Sequence, residues 1–169
     1  MLAADALSVA RLLAAPAFAS ALERPGWTAL GLFAFAAASD FADGRVARRA
    51  GRPSGHGAVL DNVADVAFVL GGAVQGARLD LLSWTVPAAI GGSVAAYALA
   101  SLPASTAARS PRLARSRIGH AAGVVNFALA GLLAGAVATP GPIWPLLLSA
   151  AGALTTAVNV AAVVCRLIS

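Results

Sequence analysis

Residues 40–65 read DFADGRVARRAGRPSGHGAVLDNVAD, and this stretch decides what kind of molecule the chain makes. Its spacing is Asp40-x-x-Asp43-Gly44-x-x-Ala47-Arg48, then eight residues, then Gly57-x-x-x-Asp61-x-x-x-Asp65. Four carboxylates thus stand in a strongly apolar sequence, where an unpaired acid is costly and marks a functional site. At about 100° per residue, Asp40, Asp43, Gly44 and Ala47 share one helix face, and Gly57, Asp61 and Asp65 share a face of a second helix. Two helices packed on those faces bring four oxygen ligands together, with glycine making room. That is a divalent-cation site in outline.

The surrounding composition sets the environment. Hydrophobic residues make up 59% of the 169, charged residues only 11%, and the mean hydropathy is +0.81. A soluble helical bundle has too little interior to hide so much apolar surface, so the composition predicts an all-α, polytopic integral membrane protein. Twelve basic residues, all arginine, outnumber seven acidic ones. A pI near 11.3 in a soluble chain would suggest nucleic acid. Here the arginines gather in two short segments, which points to membrane topology, anionic lipid or phosphate ligands, and to no nucleic acid. Cys165 is the only cysteine, so there is no intrachain disulfide and no cysteine metal motif; it reads as inert packing near the end of the last helix. Ala17-Phe18-Ala19 resembles a signal-peptidase site, but Arg11 and Asp5 interrupt the apolar run before it, so residues 1–22 read as a retained first helix.

Apolar runs at 3–22, 27–45, 57–77, 81–102, 118–138 and 143–165 are each close to the ~20 residues that cross a hydrocarbon core. Glu23-Arg24-Pro25-Gly26, Arg78-Leu79-Asp80 and Thr139-Pro140-Gly141-Pro142 separate them on one side. The links on the other side carry Arg45, Arg48, Arg49 and Arg52, and Arg109, Arg112, Arg115 and Arg117. The positive-inside rule then predicts six transmembrane helices with both termini, both arginine links and the aspartates at the cytoplasmic face. Glycines four apart (Gly72 and Gly76, Gly119 and Gly123, Gly131 and Gly135) predict close helix approach, within the bundle or across a dimer. No repeat or linker divides the chain, so residues 1–169 form one membrane domain.

Hard oxygen ligands without His or Cys suit Mg²⁺, Mn²⁺ or Ca²⁺. Four carboxylates exceed the charge of one dication, so a pair of metals bridging a phosphoryl centre fits, with Arg48 placed to clamp a phosphate. Gly44 and Ala47 leave a slot beside the helix for a base or a phosphate chain. Taken singly, Asp40 or Asp43 is equally a helix cap or a partner of Arg45 or Arg48; two facing stripes of acids are harder to explain that way.

The spacing from Asp40 to Asp65, including the eight-residue gap, resembles the signature of the CDP-alcohol phosphotransferase family, and the six-span layout extends the resemblance along the chain. The resemblance implies a six-helix membrane fold, usually homodimeric. It implies transfer of a substituted phosphate, such as a phosphatidyl group, from a CDP-alcohol such as CDP-diacylglycerol to an acceptor hydroxyl, with release of CMP in phospholipid biosynthesis. By the same resemblance Asp40, Asp43, Asp61 and Asp65 hold two Mg²⁺ or Mn²⁺ ions, and Asp65 is also the general base. Gly44, Ala47, Arg48 and Gly57 border the CDP-alcohol. Near the start, the family's Pro-Asn-x-Leu-Ser/Thr-x-x-Arg pattern is matched by Leu7, Ser8 and Arg11 and departed from at Ala4 and Asp5. Arg11 lies inside a span and needs an anionic partner, either the aspartates or a bound phosphate, unless it snorkels to the interface.

The acceptor is less legible. Arg112 and Arg115 suit the phosphate of a phosphorylated acceptor, or serve only topology and anionic lipid. His120 and Asn126 either line an acceptor pocket or hydrogen-bond between helices. The expected place is a bacterial inner membrane with the site facing the cytoplasm. Two rival readings stand: a small divalent-cation transporter or channel, whose acids would be spread through the membrane depth, and a family member that binds nucleotide or lipid without catalysis.

Overall fold

The computed structural model describes the backbone of residues 2–50, 55–101 and 117–168, and the side chains within 6–42, 59–100 and 118–168. Among the described residues the architecture is all α: α1 (Leu2–Ala21), α2 (Thr28–Ala50), α3 (Gly55–Arg78), α4 (Thr85–Ser101), α5 (Arg117–Ala138) and α6 (Trp144–Ile168). The sequence punctuates them as expected. Gly26, at φ 146°, makes the turn after α1, and its N–H donates to the Val137 carbonyl at 3.2 Å, tying that turn to the end of α5. Asp80 takes φ 56° after α3, a left-handed position that Asp tolerates, and residues 81–84 then turn before α4 begins.

Three helical segments, Val59–Arg78, Ile118–Ala138 and Trp144–Ile168, are long and apolar enough to cross a membrane. Ala6–Ala21, Thr28–Ala42 and Thr85–Ala100 are shorter apolar helices. Helix α2 continues through Ala50, past the apolar run that ends at 45 and past Ala47, which shares a helix face with Asp40. Arg45, Arg48 and Arg49 therefore stand on helical backbone instead of in a link, since nothing between Gly44 and Ala50 breaks a helix.

Packing gives α1 the central place at one side of the bundle. Among the described residues, α2 and α3 pack each against α1 far more than against one another, while α5 joins α2 and α3 to α6, and α4 lies on α6. The aspartates of α2 and α3 nonetheless converge, with Asp40, Asp61 and Asp65 offering oxygens within 4.8 Å of one another. Phe18 of α1 is fully buried and stacks on Phe68 of α3, with ring centroids 4.4 Å apart; Phe68 stacks on Phe127, which meets Phe33 at 5.1 Å.

Glycine makes that contact possible. A Cβ on Gly72 would lie 2.6 Å from Phe18 Cε1, and one on Gly131 would lie 2.7 Å from Phe33 Cζ. Gly76 and Gly135 are similarly covered by Leu133 and Trp144, whereas Gly123 faces open space. Close approach is therefore the use of Gly72, Gly76, Gly131 and Gly135. Asn126 and Asn159 exchange side-chain amide hydrogen bonds at 2.7 and 3.4 Å, so Asn126 is an interhelical tie between α5 and α6 and not a pocket residue. Cys165 is exposed on α6, contrary to its reading as packing.

Gly72→Ala must push a fully buried, stacked phenylalanine and should destabilise the protein by about 1–3 kcal/mol, the usual cost of overpacking. Gly92→Ala, with nothing within 4 Å of the added Cβ, should be neutral or mildly stabilising. Unfolding of the two variants in detergent micelles checks the contrast.

Candidate metal centre

The site is assembled from three helices at the end of the bundle where α2 closes and α3 begins. At ~1.5 Å per residue, Asp61 and Asp65 lie roughly 9 and 15 Å along α3 from Gly55, and Asp40 lies roughly 15 Å before the end of α2. One ligand oxygen from each of Asp40, Asp61 and Asp65 lies within 4.8 Å of the others. The four-residue step from Asp61 to Asp65 is one helical turn, which stacks the two carboxylates on the face that α1 covers. Asp40 is exposed, and Asp61 and Asp65 are partly buried, so the cluster opens to a molecule arriving at the surface.

Arg11 of α1 is the group that ties these acids together. It is fully buried, with 0% of its side chain exposed. Its Nη1 donates to Oδ1 of Asp61 at 3.1 Å and to Oδ1 of Asp65, and it lies 3.8 Å from Oδ1 of Asp40. Its Nε donates to Ser39 Oγ at 3.2 Å, and Ser39 in turn donates to the Ala36 carbonyl at 2.9 Å. Ser8, one turn before Arg11, donates to Asp61 Oδ1 at 3.3 Å. A buried guanidinium is tolerated only with such pairing, and here each described carboxylate bond falls on an Oδ1 atom. The second oxygen of each acid takes no hydrogen bond among the described residues.

The structure thus brings together Asp40, Asp61 and Asp65 from the expected set, gives Arg11 the aspartates as its anionic partners, sets Ser8 beside it, and adds Ser39. Ser39 had no signal in its spacing beyond adjacency to Asp40. The side chains of Asp43, Gly44, Ala47, Arg48 and Gly57, and of Ala4, Asp5 and His56, lie outside the described residues, as do Arg112 and Arg115. His120 is exposed on α5. A cavity of about 980 Å³ lies at the opposite end of the bundle, lined by Leu82, Val86, Trp144, Leu148 and Thr156 among others, and shares no residue with the aspartate cluster.

Three converging carboxylates offer only hard oxygen donors, which fit Mg²⁺ or Mn²⁺ and give a softer metal nothing to prefer. Helix order, aspartate spacing and this geometry together define a class. The family model for CDP-alcohol phosphatidyltransferases matches residues 1–167, and the chain belongs to that family, whose members are membrane transferases of phospholipid biosynthesis. Among curated proteins, the chain is similar to the CDP-diacylglycerol–glycerol-3-phosphate 3-phosphatidyltransferase of Cereibacter sphaeroides, 48% identical over 69 residues. That match spans 38% of this chain and 31% of the relative's length. No solved structure matches the chain.

Ser39→Ala removes the acceptor of the buried Arg11 Nε. It should cost about 1–3 kcal/mol, the range for losing a hydrogen bond to a charged group, and Ser39→Thr should restore most of it. Thermal unfolding in detergent reads both.

Proposed function

We propose that this protein is a metal-dependent phosphotransferase that moves a phosphatidyl or similar substituted phosphate from a CDP-alcohol such as CDP-diacylglycerol to an acceptor hydroxyl. The observation that carries the reading is the convergence of Asp40, Asp61 and Asp65 within 4.8 Å in a chain of this family. Asp43 completes the ligand set, and Mg²⁺ or Mn²⁺, two per site, would be held among the four carboxylates. Bound there, the ions would screen the diphosphate and favour a nucleophilic oxygen and a departing phosphate.

The chain's own residues do the rest. Gly44, Ala47 and Gly57 border the nucleotide without bulk, and Arg48 contacts the diphosphate. The acceptor oxygen attacks the phosphorus that bears the alcohol. A new P–O bond forms, the bond to the CMP phosphate breaks, and CMP leaves with the electron pair. The hydroxyl proton passes to the carboxylate of Asp65, which serves as general base. Arg11 meets Asp65 at Oδ1, so the base is oriented by a bond that leaves its other oxygen to the acceptor.

The relative's name makes glycerol 3-phosphate the first acceptor to try, with Arg112 and Arg115 as the side chains suited to its phosphate. The working unit is one membrane domain, residues 1–169, with six spanning helices and both termini in the cytoplasm. It sits in a bacterial inner membrane, its site on the cytoplasmic side, as a homodimer. Asp40, Asp61 and Asp65 converge in one place near one end of the bundle, which favours transfer over an ion path.

Purified protein in detergent, given CDP-diacylglycerol, Mn²⁺ or Mg²⁺ and a panel of acceptors, should release CMP with at least one acceptor. EDTA should abolish release. Asp65→Asn should lower kcat by roughly 100-fold or more, the usual weight of a general base. Failure of every acceptor to yield CMP, or an Asp65→Asn variant as fast as wild type, sinks the reading.

A further inference from the structure

A positive charge buried in a cation-binding cluster works against the cation, and its position here is specific. Arg11 reaches Asp61 and Asp65 through one nitrogen and approaches Asp40 at 3.8 Å, so its charge sits among the very carboxylates that converge. It cannot retreat to solvent, being fully buried with Nε held by Ser39.

Three carboxylates and one guanidinium leave two negative charges, which match one dication. Two dications without a substrate would leave these partly buried groups with surplus positive charge. A diphosphate supplies the missing negative charge and further oxygens. We propose that Arg11 is a positioning residue whose charge also sets the metal count: without nucleotide the cluster holds one dication tightly, and the second is recruited with the diphosphate of the CDP-alcohol. The inference rests on the metal-centre reading above and adds to it an order of assembly. Its physical basis is that a unit charge a few ångströms from a dication weighs on its binding far more than an exposed charge does.

The test is a Mn²⁺ titration of the purified protein in detergent without nucleotide, reading free Mn²⁺ by electron paramagnetic resonance. Wild type should bind one ion per chain tightly, and added CDP should raise the count to two. Arg11→Gln should bind two without CDP, the first about tenfold tighter or more. Arg11→Lys, which keeps the charge, should behave as wild type. If Arg11 only braces the helices, Arg11→Gln will instead splay the carboxylates and bind Mn²⁺ more weakly.

Weaker or unchanged binding by Arg11→Gln, two tight ions in wild type without CDP, or two in Arg11→Lys each overturns the inference while leaving the metal centre standing. Should Arg11→Gln fail to fold, Arg11→Met gives the neutral arm with a long apolar stem. Its Mn²⁺-induced rise in Tm should exceed that of wild type at equal Mn²⁺, because tighter binding to the folded state stabilises it more. A wild-type protein that binds no Mn²⁺, indistinguishable from Asp61→Asn, removes both the metal centre and the inference.

Discussion

The buried charge of Arg11 is the constraint around which this end of the bundle is arranged. A guanidinium excluded from water is stable only if acids and hydrogen-bond acceptors surround it. Asp61 and Asp65 from α3, with Asp40 and Ser39 from α2, meet that demand from two sides. The same demand works in the other direction. Three carboxylates drawn within 4.8 Å of one another repel, and Arg11 is the described cation that offsets their repulsion. Neither partner is tenable there alone, so the ion cluster fixes how α1 lies between α2 and α3.

That lie requires a close fit lower in the bundle. Gly72 lets Phe18 settle onto α3 and stack on Phe68, roughly two turns beyond Arg11 along α1. Gly131 lets Phe33 of α2 press on α5, and Phe127 links the two aromatic contacts. In an apolar solvent, helices gain little from hiding apolar surface, so such interlocking contacts and polar ties hold them. The Asn126–Asn159 amide pair is one such tie between α5 and α6. Charge thus organises one end and shape the middle.

The two ends of the molecule consequently differ in kind. One carries convergent carboxylates beside the end of α2, partly open to the surface. The other carries tight turns, with Gly26 bonded to Val137 and Glu23 accepting a hydrogen bond from Gln75 at 3.0 Å. These short links close the bundle at the end away from the acids. A rigid frame that carries its carboxylates on helices, not loops, suits the transfer proposed above, which needs its groups held in register.

Much of this was written in local patterns. The apolar runs and their Gly and Pro separators located the six helices to within a few residues, because helix length and chain breaking are local properties. The Asp61-to-Asp65 step named a face, and Arg11 inside an apolar run announced a need for anions, since both follow from periodicity and the cost of buried charge. What local patterns do not hold is which face meets which. Among the described residues α1 packs against both α2 and α3 and supplies Ser8 and Arg11 to the acids, while Ser39 was unremarkable until Arg11 reached it. The shared face of Asp40, Gly44 and Ala47 already carried α2 past the apolar run, whereas the arginines after it read as a link by charge though their backbone propensity is helical. Sequence alone determined the helices and which acids share a helix face, because those depend on neighbours along the chain. Only the tertiary structure decided that a buried arginine sits among those acids, because pairing across helices depends on distances that no spacing encodes.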